Sequence, residues 1–198
     1  LIGNPSLAFE ITEADRERVR SNFKLDKEKP LLLVTGGGSG ALALNRLFVA
    51  ALELLPSDWQ IIHQTGPGKG AGAQSRAGYQ AVESITHEDY RALMSLSDMV
   101  LSRAGLGALT ELSLLAKPCV LLPIPDSHQE DNASYFADNN AALVLNQETA
   151  GAQSLAAALK SLWQDSERRR LLSDNIGNLL PADAADKGAA LMQDLIKA

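Results

Sequence analysis

Between residues 31 and 146 the chain alternates short apolar runs with longer stretches of helical spacing. That alternation constrains its fold more than any other feature. The strand-like runs are 31–35 (LLLVT), 59–65 (WQIIHQT), 79–85 (YQAVESI), 99–103 (MVLSR), 118–124 (PCVLLPI) and 142–146 (ALVLN). Helical spacing fills 40–55, 87–97, 106–116 and 128–139. Strands separated by helices predict an α/β fold with a parallel sheet of about six strands and helices on both faces. The apolar runs are continuous rather than alternating, as strands buried on both sides require. One connection, 66–78 (GPGKGAGAQSRAG), lacks a helix and is expected to be a mobile Gly-rich loop. From about residue 152 onward only helical patterns remain, the last starting at Pro181. Residues 1–30 read as a lead-in segment, with turn chemistry in Gly3-Asn4-Pro5 and Thr12 as the N-cap of a helix that is acidic early and basic late. Residues 31–198 form the domain proper.

Composition narrows the function classes. A chain of 198 residues with 45% hydrophobic and 21% charged residues suits one globular domain. A net charge of −6 argues against a general nucleic-acid binder, because little here would neutralise a phosphate backbone. The tight basic run Arg168-Arg169-Arg170 reads as a solvated helix face. The single cysteine, Cys119, excludes an internal disulfide, fits a reducing compartment, and lies in an apolar run that suits a buried thiol. No run reaches the roughly 18–20 apolar residues of a membrane span. The longest, ELSLLAKPCVLLPIP, is broken by Lys117 and Pro118. No signal peptide is visible, and a start at Leu1 rather than Met suggests a piece of a longer protein. Neither zinc-ligand spacing nor a defensible Ser-His-Asp set is present, so no metal or cofactor is expected.

In an open parallel sheet, ligands bind at the carboxyl ends of the strands. The loops to inspect are therefore 36–40, 64–78, 86–88, 103–107 and 124–129. Gly36, Gly38 and Ala41 satisfy G-x-G-x-x-A after a strand, a weak dinucleotide signal. The acid expected at the end of the second strand is missing, since that strand ends in His63-Gln64-Thr65. A triphosphate loop fails as well. Gly68-Lys69 would place its first glycine at His63, and Gly70 replaces the Ser or Thr that holds magnesium. A tight turn without ligand is the plain alternative. Four glycines in five positions exceed what a turn needs, and they permit close approach of a ligand to a helix start. His63, inside a strand, reads as a satisfied structural group, and His87, after Thr86, as a surface residue.

Four stretches fall on one sheet edge: GGGSGALALN (36–45), HQTGPG (63–68), SRAGLGALTEL (102–112) and PIPDSHQEDNA (123–133). In this order they resemble the C-terminal, donor-binding domain of the MurG-like UDP-N-acetylglucosamine transferases of glycosyltransferase family 28, and the opening GNP resembles that family's interdomain segment. The resemblance implies one Rossmann-like half of a two-domain GT-B transferase. Its implied activity is inverting transfer of N-acetylglucosamine from UDP to a lipid-linked muramyl pentapeptide in peptidoglycan synthesis. The implied partners are UDP-N-acetylglucosamine and, through an N-terminal domain, the lipid-linked acceptor, with no nucleic acid. The implied location of the whole protein is the cytoplasmic face of the plasma membrane. Two alternatives remain open: a UDP-sugar transferase with another lipid acceptor, and a non-catalytic donor-binding subunit of a split transferase.

The resemblance also implies donor-binding roles. Gly37, Gly38 and Ser39 would form one wall. Gly105, Leu106, Gly107 and Ala108 would present helix-start amides to the diphosphate, stabilising the departing UDP without a tightly held metal. Glu111 would accept hydrogen bonds from the ribose hydroxyls, its alternative being a solvated helix glutamate. Gln129 and Asn132, three apart on one helix face, would meet sugar hydroxyls. His128 would lie beside sugar or diphosphate, its alternative being a pairing with Asp126 or Glu130. The backbone of Ile85 would meet the uracil, its alternative being core packing. The chain departs from the family where Gly38 replaces a serine, with Ser39 displaced by one. It departs again at Leu7, where an arginine is usual, and at Ala104 and Ala108, where Ser and Thr are usual. Catalytic residues are expected in the N-terminal domain.

Overall fold

The computed structural model describes residues 10–38, 40–70, 76–180 and 184–197. Strands β1 (Leu31–Thr35), β2 (Gln60–Gln64), β3 (Tyr79–Val82), β4 (Met99–Ser102), β5 (Cys119–Leu121) and β6 (Leu143–Val144) form one sheet in the order β3-β2-β1-β4-β5-β6. Every pairing is parallel, with Leu33 set between Ile62 and Val100. Helices α1 (Glu13–Phe23), α2 (Leu42–Ala51), α3 (His87–Leu96), α4 (Leu106–Leu114), α5 (His128–Asp138), α6 (Ala152–Gln164), α7 (Ser166–Leu179) and α8 (Ala184–Lys197) complete the order. This is the expected α/β architecture, and the chain reverses its direction of sheet growth between β1 and β4.

Two apolar clusters explain the continuous hydrophobic strands. Leu31, Leu33, Ile62, Val100 and Leu121 point to one face, under Leu93 of α3, Leu112 of α4, Phe136 of α5 and Ile176 of α7. Their alternates Leu32, Val34, Ile61, Leu101 and Val120 point to the other, under Phe48 of α2 and Leu155 and Leu159 of α6. Successive strand residues face opposite ways, so covering both faces demands an apolar residue at every position.

Several ends differ from the sequence-based expectation. The runs expected at 79–85, 118–124 and 142–146 pair only over Tyr79–Val82, Cys119–Leu121 and Leu143–Val144. Pro118 and Pro123 flank β5 and lack the N–H a ladder needs. The helical pattern at 40–55 begins at Leu42 and ends in a 3₁₀ turn, Leu52–Leu54, before Pro56. The closing helix is described from Ala184, and Pro181 lies outside the described residues.

Local chemistry fixes the remaining elements. Thr12 caps α1 through a capping box with Asp15, which is held at about 2 by the Thr12 hydroxyl first and Arg18 second. Val19 of α1 is fully buried, and Arg18 meets Asp89 of α3 at 3.0 Å, so α1 lies against α3. Lys117 is not a solvated break in its apolar run. Its Nζ donates to the carbonyls of Ser95 (2.7 Å) and Ser97 (2.9 Å) at the end of α3. Cys119 is fully buried, and burial pushes its thiol up to about 12. The arginine run is not wholly a solvated face either. Arg168 and Arg170 are exposed, but Arg169 stacks 4.6 Å from the Trp163 ring centre, and Trp163 packs edge-on against Trp59.

Candidate functional site

The crevice at the reversal point lies between the loops after β1 and β4. The β1 loop turns sharply, with the Gly40 N–H donating to the Gly37 carbonyl at 2.9 Å. Gly40 has φ +71°, and a Cβ there would overlap the Thr65 carbonyl oxygen and lie 2.6 Å from the Gly66 Cα. Only glycine lets the loops after β1 and β2 close on one another. Gly37 and Gly38 instead face open space. Ser39, expected beside them, lies outside the described residues.

A buried polar network holds this pair of loops from beneath. Asn45 of α2 is fully buried, and its Nδ2 donates to the carbonyls of Thr65 and Lys69, both at 2.8 Å. The amide orientation this sets turns Oδ1 toward His63 Nε2 at 3.0 Å, which therefore carries the ring proton. His63 Nδ1 then accepts from the Tyr79 hydroxyl at 2.9 Å. Burial lowers His63 to about 4, keeping it neutral. His63 is thus the satisfied structural histidine that its strand position predicts. The same bonds, with Lys69 Nζ donating to the Gly40 carbonyl (3.2 Å), tether residues 66–70 of the connection expected to be mobile. Residues 71–75 of that connection lie outside the described residues.

On the other side, α4 starts at Gly105 without any side-chain cap. The amides of its first turn have no partner further back in the helix, and the dipole makes this end positive. Gly107 faces open space. Gly37, Gly38, Gln64, Ile85, His87, Tyr90, Arg91, Gly107, Ala108, Thr110 and Glu111 line one cleft of about 410 Å³. Six of the sequence-derived site residues meet in it: Gly37, Gly38, Ile85, Gly107, Ala108 and Glu111. Ile85 also packs on the apolar core, so its two readings are compatible.

Glu111 is 9% exposed and is not the solvated helix glutamate considered above. Its Oε1 accepts from Arg91 Nε at 3.2 Å, and His87 Nε2 lies 3.3 Å from the same oxygen. His87 is a surface residue, as its sequence suggested, but its ring reaches this carboxylate. Tyr90, Arg91, Thr110 and Gln64 also line the cleft and are not among the sequence-derived site residues. The available signal was His87 and Arg91 at i and i+4 in a helix that opens from a strand-end loop.

The remaining sequence-derived residues surround the cleft rather than line it. Gly105 and Leu106 begin α4, and Leu106 is exposed. Gln129 sits beside Gly105, its Nε2 3.9 Å from where a Cβ would stand. Its Oε1 accepts from the Ile124 N–H at 3.2 Å, which leaves its amide hydrogens toward α4. Asn132 donates to the Ala104 carbonyl at 3.0 Å and so ties α5 to the β4 loop. His128 is exposed at the start of α5, and the considered partner Glu130 accepts instead from the Asp126 N–H at 3.0 Å. Arg103, at the end of β4, is 5% exposed and donates to the carbonyls of Leu122 (2.6 Å) and Pro123 (3.1 Å). It thereby anchors the loop that carries Gln129. Among the described residues no group of three or more His, Cys, Asp or Glu side chains is placed to hold a metal ion.

The family model described as the glycosyltransferase family 28 C-terminal domain matches residues 31–187. A UDP-N-acetylglucosamine--N-acetylmuramyl-(pentapeptide) pyrophosphoryl-undecaprenol N-acetylglucosamine transferase from Desulfotalea psychrophila is 37% identical over 180 residues, covering 86% of this chain and 49% of that protein. The enzyme of the same name from Phocaeicola vulgatus is 33% identical, covering 94% of this chain and 52% of that protein. The chain thus spans about half the length of the curated relatives it matches. Among solved structures, Acinetobacter baumannii MurG superposes with a TM-score of 0.73 at 24% identity, over 90% of this chain and 53% of that one. A UDP-GlcNAc 2-epimerase from Neisseria meningitidis, bound to UDP-GlcNAc, superposes with a TM-score of 0.69 at 14% identity, over 93% of this chain and 50% of that one. Both likenesses are of fold.

Proposed function

The chain belongs to the family of glycosyltransferase family 28 C-terminal domains, and from that premise we propose that it is the UDP-N-acetylglucosamine-binding half of an inverting transferase that glycosylates a lipid-linked muramyl pentapeptide. The observation that carries this reading is the cleft that sets an ionisable carboxylate, Glu111, one turn inside an uncapped helix start. A nucleoside diphosphate needs those two features together: acceptors for its ribose hydroxyls and positive dipoles for its phosphates.

The proposed roles follow from placement. The first-turn amides of α4, at Leu106, Gly107 and Ala108, receive the diphosphate, and they stabilise the charge that develops as UDP departs. The open faces of Gly37 and Gly38 admit the ligand from the opposite wall. Ile85 borders the nucleobase and Glu111 the ribose. The Gln129 amide, beside Gly105, donates to the sugar. Asn132 holds α5 in register for that contact, and His128 lies at its outer margin. The lipid-linked acceptor and the catalytic base belong to the part of the protein outside this chain. Among the described residues no helix is long and apolar enough to cross a membrane. Action at the cytoplasmic face of the plasma membrane is part of the proposal.

Titration calorimetry of the 198-residue chain with UDP, UDP-N-acetylglucosamine and NAD tests the reading. UDP and its sugar are expected to bind, and tighter binding of NAD than of UDP would sink it. Glu111→Ala is expected to weaken UDP binding by about 2 kcal/mol, the scale of hydrogen bonds to a charged acceptor. Unchanged affinity removes Glu111 from the ribose role.

A further inference from the structure

Glu111 is the one carboxylate among the described residues that line the cleft, and it does not stand alone. Two nitrogen-bearing side chains one turn apart on α3 reach across to a single oxygen, Oε1, of a residue on α4. Their exposures differ. The His87 side chain is 65% exposed, whereas that of Arg91 is 21% exposed and that of Glu111 only 11%. Solvent screens the first contact much more than the second.

A carboxylate offers about four acceptor positions, and the α3 contacts engage one of its two oxygens, leaving acceptor capacity for a vicinal diol. An arginine keeps its charge and its planar fork of donors, so it is a fixed partner for that carboxylate. The same contact locks the carboxylate rotamer, which would otherwise be lost to rotation before two hydroxyls could be met together. Arg91 also forms a wall of the neighbouring cavity with Glu10, Ile11, Asp15 and Glu88, so its stem lies on the ridge between two hollows.

We propose that Arg91, assisted by His87, is a positioning residue that orients the Glu111 carboxylate for a ribose diol. Discrimination of a ribonucleotide from a deoxyribonucleotide then depends on an α3 residue that need not touch the sugar. The proposal rests on the reading of the cleft as a nucleoside-diphosphate site. It goes beyond that reading by assigning the selectivity to α3.

The test compares UDP with 2′-deoxy-UDP by calorimetry on the 198-residue chain and its variants. The unaltered chain is expected to prefer UDP by about tenfold or more, the effect of one hydrogen bond to a charged group. Arg91→Met is expected to reduce that preference to the level of Glu111→Ala. The double variant is expected to show no further loss, because the two residues act as one unit. His87→Gln is expected to reduce the preference by a smaller factor. Arg91→Lys, which keeps charge and stem, is expected to recover part of it, and it replaces the Met variant if thermal melts show that variant unfolded. A preference in Arg91→Met equal to that of the unaltered chain overturns the proposal, as does equal weakening of both nucleotides. An unaltered chain that binds UDP without preferring it to the deoxy form overturns the proposal while leaving the nucleotide site standing. Failure of the unaltered chain to bind UDP overturns both.

Discussion

Gly40→Ala is expected to lower the unfolding free energy by about 4 kcal/mol, the sum of two independent penalties. The backbone at residue 40 has φ +71°, where an L side chain costs roughly 1–3 kcal/mol. The added Cβ would also strike the backbone of the next loop, overlapping the Thr65 carbonyl oxygen and approaching Gly66 Cα to 2.6 Å. No flexible side chain can yield there, so one of the two loops must move, and overpacking of this kind costs roughly 1–3 kcal/mol. Urea unfolding measures the total. Loss of less than about 1 kcal/mol would mean that the two loops separate freely. In that case Gly37 and Gly38, which depend on the same turn, are not held against the cleft.

Acidification is expected to remove about 2 kcal/mol of stability by pH 5 and about 3 by pH 4 through His63 alone. The folded group titrates at about 4 against an ordinary value of 6.5, because it is buried. Below pH 6.5 the unfolded chain takes up a proton that the native ring refuses. The contribution is therefore fully present above pH 6.5 and is lost as pH falls toward 4. Each pKa unit corresponds to about 1.4 kcal/mol. His63→Gln, with an amide in place of the ring, is expected to flatten this part of the profile. The comparison is urea unfolding of both proteins at pH 7.5, 5 and 4. An identical pH slope in both would show that the buried ring does not govern acid stability. Surface carboxylates such as Asp15, held at about 2 by the Thr12 hydroxyl and Arg18, act in the same direction at lower pH and are shared by both proteins.

Much of this architecture is legible in the residues. The runs LLLV (31–34) and MVL (99–101) are apolar at every position, as a strand covered on both faces demands, and β1 and β4 are the central strands. Thr12, Thr86 and Ser127 each precede an acidic first turn, and each caps a helix. The glycine cluster at 36–40 marks a close approach: packing requires glycine at Gly40 and at Gly36, where a Cβ would lie 2.5 Å from the Ala41 N, but not at the other fingerprint position, Gly38. Strand ends were less legible. Pairing stops where a proline intervenes or a neighbour ends; the prolines beside β5 stand in the sequence, but the end of a neighbouring strand is not written beside the strand it limits.

The candidate site divides along the same line. Gly107, Ala108 and Glu111 are close in sequence and share one helix, so the helical repeat places them together without knowledge of the rest of the fold. His87 and Arg91 are 20 or more residues from Glu111. Their meeting with it depends on how α3 packs against the sheet beside α4. His63 and Asn45 are likewise distant, and the polar residues of a strand and a helix interior become one network only when α2 closes over β2.

The order of strands and helices, the caps and the turn at the glycine cluster were determined by the sequence alone, because periodicity and backbone preference act between near neighbours. Which side chains reach Glu111, and which loop touches Gly40, were decided by the tertiary structure. Those contacts join residues whose distance is set by sheet order and helix packing, and neither is carried by any local stretch of chain.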